Sequence, residues 1–425
     1  MSTIPDSRGG RNTDAHVPAA VTNPRDIALL ELPVPQAPPR DPDPWWRLRS
    51  IGPGARYALG AYALSRLLYL VIAIADTFIR GSSLSAELSN WDGKWYVLTA
   101  THWYPHVIPH VHGAYSTLGF LPLYPMLMWV VGVALPGAGY LLPGVLVSLV
   151  AGAVAVVEIN ALATQWWGEQ PARRAILFFC LFPGSIVFSM VYSEGLMLAL
   201  AAGAMLALTH RRWVLAGILA GLSTAIEPVG LMIIPVCAYA ALRYMHDQGW
   251  GDRRAWRALA APILSPLGMI GTGIFLWSWT GTPLASYKAQ RYAWDETSTP
   301  LALWRDAHRF FDELIHVNVH HPNLNLNMLV AVLGALLLAW CWVLLWRERH
   351  AVSVEALIWT AGLTVLTVTS NSVPPNARML TCMFPAVLVF GAFREGSRQR
   401  WLLAITLVLT VAMSIDTFVG TGLRP

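Results

Sequence analysis

Long apolar runs punctuated by short arginine clusters constrain this chain more than anything else in it. The first covers 57–79, enough at 1.5 Å per residue to cross a hydrocarbon layer of ~30 Å. Ten more follow at 140–163, 175–190, 194–209, 213–226, 229–243, 258–279, 325–346, 352–369, 379–393 and 401–420. Of the 425 residues 55% are hydrophobic and only 12% charged, about half the charge content of an average soluble domain. The expectation is an all-α polytopic membrane protein of about eleven transmembrane helices. Several runs fall short of the ~17 residues a span needs, which predicts tilted, broken or cavity-lining helices.

Charge orients these runs. The clusters Arg173-Arg174, Arg211-Arg212, Arg243 with Arg253-Arg254-Arg257, Arg347 with Arg349, and Arg394 with Arg398 and Arg400 are each separated from the next by two apolar runs, so all fall on the cytoplasmic side. The net charge of +5 is therefore a topology signal and not a nucleic-acid surface. The apolar stretch 118–135 breaks this parity if it crosses, and it reads instead as a juxtamembrane or re-entrant helix on the outer side. Residues 1–55, rich in Pro, Asp and Arg, carry no sustained apolar period and read as a disordered cytoplasmic tail. Residues 56–425 form the membrane domain, with outer loops 80–138 and 280–324 as its functional face. Cys180, Cys237, Cys341 and Cys382 sit singly inside apolar runs and read as small core residues.

The chemistry-bearing residues concentrate on the outer side. Asp92 lies in Asn90-Trp91-Asp92-Gly93-Lys94-Trp95-Tyr96, just after the first span. A boundary carboxylate there, shielded by Trp91, Trp95 and Tyr96, is either a general base or a solvated acid within an aromatic belt. Glu194 opens the run 194–209, with Ser193 as its expected cap; it is a second outer acid that could orient a hydroxyl or bind a cation. The first loop also carries His102, His106, His110 and His112, but Pro105 and Pro109 interrupt any helical metal face, leaving histidines that could touch substrate. In the second loop, Ser286 to Trp294 groups Lys288, Gln290 and Arg291 with Tyr287, Tyr292 and Trp294. That mixture suits a phosphate-headed lipid, and ordinary interfacial anchoring uses the same residue types. Lys94 and Lys288, the only lysines of the chain, fall one in each large outer loop. Arg378 is an outer arginine against the positive-inside trend, so it needs an anionic partner, either a lipid phosphate or a nearby acid. No HExxH, GxSxG, phosphate-binding loop or dinucleotide fingerprint occurs, which argues against proteases, NTP-driven pumps and nucleotide enzymes.

Taken in series, Trp91 to Tyr96, Phe120-Leu121-Pro122-Leu123-Tyr124-Pro125, Phe182-Pro183-Gly184-Ser185, Ser189 to Glu194 and Arg211-Arg212-Trp213 with Ala216-Gly217 resemble the PIG-V-like mannosyltransferases in their bacterial form. The resemblance implies a GT-C type bundle with juxtamembrane helices in the first outer loop. It implies a multi-pass enzyme of the bacterial plasma membrane that moves a sugar, most often mannose, from a polyprenyl-phosphate donor to a glycolipid, lipoglycan or protein acceptor. An essential acid in the first outer loop corresponds to Asp92. One position departs: the family usually shows Arg before the Pro of 225–230, and this chain has Glu227. The expected site is Asp92 as base and Glu194 as acceptor-orienting acid. Trp91, Tyr96 and Trp294 would stack on sugar or prenyl chain, and Lys288, Arg291 and Arg378 would meet phosphate charge, with magnesium or manganese as a possible helper. Glu227 is expected to pair with Arg291 or Arg378, or to bind a cation. The alternatives are a transporter or flippase, for which no internal pseudo-repeat is evident, and a degenerate member acting as a scaffold.

Overall fold

The computed structural model describes residues 52–111, 113–316, 326–393 and 396–419. The expected tail, up to residue 51, and His112 lie outside the described residues. Of the described residues 78% are helical, and no strand occurs among them. In chain order the helices are α1 (Pro53–Arg80), α2 (Leu84–Leu88), α3 (Asp92–His102), α4 (Leu123–Ala134), α5 (Leu141–Trp167), α6 (Glu169–Leu181), α7 (Glu194–Thr209), α8 (Trp213–Thr224), α9 (Ile233–Gln248), α10 (Ala260–Leu264), α11 (Leu267–Thr280), α12 (Ala285–Ala293), α13 (Ala302–Ile315), α14 (Leu326–Arg347), α15 (Val354–Thr369), α16 (Ala377–Cys382), α17 (Phe384–Leu388) and α18 (Ser397–Val419).

α1 shows why this chain belongs in lipid. Pro53 starts it where a missing N–H costs nothing, and Gly81, in the left-handed conformation, stops it. Its buried side carries Ser65, Arg66 and Asp76 among Tyr62, Tyr69 and Ala73, while Leu64, Leu67, Val71 and Phe78 are exposed. Polar inside and apolar outside is the reverse of a soluble helix and satisfies a hydrocarbon solvent. In the centre of the bundle α5 packs on α6 and α7, α7 on α8, and α8 on α10. The buried side of α7 is dominated by Ala and Gly, so backbones approach closely.

Among the described residues six helical segments are long and apolar enough to cross a membrane: 53–80, 141–167, 228–248, 255–280, 327–347 and 397–418. A seventh is the pair 169–181 and 183–189, bent by 73°. Every apolar run read from the sequence falls on helix, but the count of eleven full spans is not reproduced. α7, α8 and α15 have 16, 12 and 16 residues, and 379–393 breaks into α16, α17 and a 3-10 turn. α4, with 12 residues, reaches only ~18 Å, too short to span, as the parity argument required.

The broken elements arise from identifiable residues. Pro183 begins the 3-10 segment after α6, and Gly184 lies so close to Ala377 that a Cβ there would stand 1.9 Å from the Ala377 carbonyl oxygen. Only glycine permits that contact, which seats the segment before Arg378 against the bend. Cys180, Cys237, Cys341 and Cys382 are buried free thiols.

Candidate active site

Four ionisable side chains, drawn from separate parts of the chain, meet at helix termini. Asp92 opens α3, Glu194 opens α7, Glu227 follows α8, and Arg378 stands in the first turn of α16. Arg378 bridges the first two: Nη1 lies 2.5 Å from Asp92 Oδ2 and Nε lies 2.7 Å from Glu194 Oε1. The Nε contact is an ion pair whose N–H is not aligned for a hydrogen bond, and Glu194 Oε2 has no hydrogen-bond partner. The guanidinium also stands 5.3 Å over the Tyr192 ring. Burial disfavours its charge, but Glu194 and Asp92 outweigh that cost and hold it well above the ordinary arginine range. Arg378 thus has the anionic partner its position demanded, in the form of two acids.

Asp92 is placed by a strained turn. Trp91 has φ 56° and ψ −118°, a conformation costly for a bulky residue. It is fixed because Asn90 Oδ1 accepts from the Trp91 N–H, while Asn90 Nδ2 and Trp91 Nε1 donate to the Thr417 carbonyl of α18. The Asp92 N–H then donates to Tyr192 Oη at 3.3 Å. Sequence reading expected aromatic shielding of Asp92; its charge is met by a guanidinium instead.

Ser193 is a second correction. Its side chain does not cap α7. The hydroxyl donates to Glu227 Oε1 and accepts from Tyr96 Oη at 2.6 Å. Glu227 therefore joins the cluster through Ser193, and pairs with neither Arg291 nor Arg378. Burial, then the negative charge of Glu194, push its carboxyl up to about 8, against the pull of Arg378. Tyr96 is buried between Phe120 and Tyr124, ring centroids 4.9 and 4.8 Å away, so it offers no free face to a sugar.

The second outer loop does not supply phosphate ligands to this cluster. Gln290 Nε2 donates to the Gly119 carbonyl at 2.8 Å and Trp294 Nε1 to the Ser116 carbonyl at 2.9 Å. The Trp294 ring packs on Trp95 and Phe120. These residues fasten α12 to the first loop. Beyond them, Ser370 Oγ donates to Glu296, and the Thr299 N–H to the Thr369 carbonyl at 2.7 Å, so the same strip also anchors the segment leading to Arg378. Arg291 is exposed, Lys94 is exposed with Nζ 5.6 Å over Trp95, and His102 is exposed at the end of α3. Lys288 lines a separate cavity with His106 and His110. Trp91 is half-buried against α18. Tyr192 and Ser193 entered the sequence reading only as motif or cap residues, since nothing local reveals a contact with a distant acid.

The charge helper needs separate treatment. Among the described residues no group of three or more His, Cys, Asp or Glu side chains could hold a metal ion. Arg378 fills the space between Asp92 and Glu194 that a cation would need, so the residues as arranged do not fit magnesium or manganese.

These features define a class: a polytopic helical membrane protein with three acids and one guanidinium gathered at its helix ends. Residues 74–277, just under half of the chain, match the family described as mannosyltransferase (PIG-V), which bears out the family resemblance carried by the motifs. A search of the curated proteins finds no match. Among solved structures the chain is similar to the Archaeoglobus fulgidus oligosaccharyltransferase tethered with an acceptor peptide, at 14% identity and TM-score 0.45 over 84% of this chain and 55% of that one. The archaeal oligosaccharyltransferase AglB from the same organism, in complex with an inhibitory peptide and a dolichol-phosphate, gives 15% identity, TM-score 0.45, 84% and 56%. ArnT from Cupriavidus metallidurans gives 14%, 0.45, 80% and 61%. The chain spans little more than half the length of these proteins.

Proposed function

We propose that the protein is a membrane glycosyltransferase that transfers a sugar, most often mannose in the resembling family, from a polyprenyl-phosphate donor to a cell-envelope acceptor on the outer face. The observation that carries this reading is the convergence of Asp92, Glu194 and Arg378 inside a chain whose 74–277 segment matches a mannosyltransferase family. In the proposed step the acceptor oxygen bonds to the anomeric carbon while the carbon–oxygen bond to phosphate breaks. Asp92 takes the hydroxyl proton, and polyprenyl phosphate departs with one more negative charge than it carried in the donor. A guanidinium in a water-poor site is suited to that developing charge. Glu194, buried and with one free oxygen, orients the acceptor hydroxyl. Inversion at the anomeric carbon follows from the family resemblance.

The test is transfer of labelled mannose from polyprenyl-phosphomannose in membranes containing wild type or Asp92→Asn. Loss of a positioned base should lower the rate by roughly 10²–10⁴-fold. Equal rates would remove Asp92 from the mechanism, and no transfer with any polyprenyl donor would favour transport or scaffolding. Because Arg378 takes the place of a cation, chelation with EDTA should leave the wild-type rate unchanged.

A further inference from the structure

The cavity that holds Lys288 shares no lining residue with the acid–guanidinium cluster. It measures about 290 Å³ and is lined by His106, His110, Thr280, Thr282, Lys288 and Tyr292 together with two apolar residues of the first loop. The lining thus contains a cation and two imidazoles but no acid, so nothing in it offsets the lysine. His106 is fixed in place: its ring stacks on Trp279 at 4.5 Å, and Nδ1 donates to the Trp279 carbonyl at 2.9 Å. A carbonyl can only accept, so Nδ1 carries hydrogen and Nε2 remains as an acceptor for a hydroxyl of a ligand.

The position of the cavity narrows the ligand. Thr280 is the last residue of the membrane-length segment 255–280, so the cavity lies at the level where that segment ends. Below it Ile270, Ile274 and Trp277, spaced along one face of α11, are 50, 60 and 54% exposed, an apolar stripe without a protein partner among the described residues. A small, acid-free, cationic cavity directly above a lipid-facing stripe matches the two ends of an amphiphile.

We propose that this cavity binds the phosphodiester headgroup of an anionic phospholipid, with Lys288 on the phosphate, His106 Nε2 accepting from a hydroxyl of the headgroup polyol, and the acyl chains along Ile270, Ile274 and Trp277. The volume admits a phosphate with a small polyol and excludes the chains. The site does not depend on the transfer reaction, and its test uses no activity.

The full-length protein is reconstituted in nanodiscs of phosphatidylglycerol with phosphatidylcholine, or of phosphatidylcholine alone, and retained lipids are counted by native mass spectrometry after release. Wild type should keep one phosphatidylglycerol that Lys288→Gln binds roughly tenfold more weakly, the loss of one charge-assisted hydrogen bond, and that His106→Phe also binds more weakly because the headgroup hydroxyl loses its acceptor. Lys288→Arg, which keeps the charge, should restore it and controls for misfolding. Free glycerol phosphate at millimolar concentration should not displace the lipid; displacement would assign the site to a soluble phosphate ester and overturn the lipid reading. Equal retention by wild type and Lys288→Gln, or equal retention of phosphatidylcholine, would also overturn it.

Discussion

Glu227 stands where the resembling family usually carries arginine, yet the reversal of charge is smaller than the residue names suggest. With Asp92, Glu194 and Glu227 all ionised, one guanidinium would face three negative charges in a largely buried site. The cluster avoids this by keeping Glu227 protonated: its carboxyl is raised from an ordinary 4.5 to about 8, by burial first and Glu194 second. A raised carboxyl favours the folded state most at low pH. Its contribution is complete below about 4.5 and is lost as pH rises through about 8. Thermal unfolding of the detergent-purified protein between pH 6 and 9 should therefore show stability falling towards the alkaline end. Glu227→Gln, which fixes the neutral form, should flatten that slope. Parallel slopes for the two proteins would mean that Glu227 does not titrate in this window.

The broken helix 169–189 is the element that positions Glu194, and its bend depends on a residue of α1. Arg66, 7% exposed, donates to the Ser185 carbonyl at 2.5 Å, to Ser185 and Ser189 hydroxyls at 3.0 Å and to the Cys180 carbonyl at 3.3 Å. The rings of Tyr62 and Tyr69 lie 4.9 and 4.6 Å from its guanidinium. A 73° bend exposes backbone carbonyls that a continuous helix would pair, and in a membrane something within the protein must pair them. Arg66 does so with a rigid fork of donors. Arg66→Met should uncover these groups at ~1–3 kcal/mol each, lowering the unfolding temperature in detergent. Transfer should fall as well, because the chain from Ser189 to Glu194 loses its support. An unchanged melting temperature would show that the bend holds without Arg66.

At the scale of the whole molecule, the sequence exposes what is local and hides what is not. Every apolar run that hydropathy located falls on helix, because burial in lipid acts on each segment alone, and parity marked 118–135, where α4 lies, as a stretch that does not cross; the polar helices α3, α12 and α13 left no such signal. Run length already set the short α7 and α8 apart from lipid-facing rods, but it could not name the helices they pack against. Within the site, Asp92, Glu194, Glu227 and Arg378 were all recognisable as charges in the wrong solvent. Their pairing was not, since Arg378 reaches Asp92 across 286 positions. Lys288, Gln290, Arg291 and Trp294 look alike in sequence as cations and aromatics at an interface, but folding gives them separate tasks in fastening, cavity lining and exposure. Arg66 carries a signal of its own in the sequence: an arginine inside an apolar run is itself grounds for suspecting a function.

The double ion pair of Arg378 gives the proposed reaction a sequence in time. While the guanidinium grips Asp92, the base is masked, and an acceptor arriving first meets a neutralised acid. A donor phosphodiester that draws Arg378 towards itself unmasks Asp92, so reactivity appears only after the donor is seated, and unpaired acceptor hydroxyls are ignored. Compulsory-order kinetics follow as the expected outcome, with donor binding before acceptor. Measured with both substrates varied, an unreactive polyprenyl phosphate should compete with the donor and act as a mixed inhibitor towards the acceptor. If the acceptor binds equally well to the donor-free enzyme, Arg378 is a static clamp and not a timer.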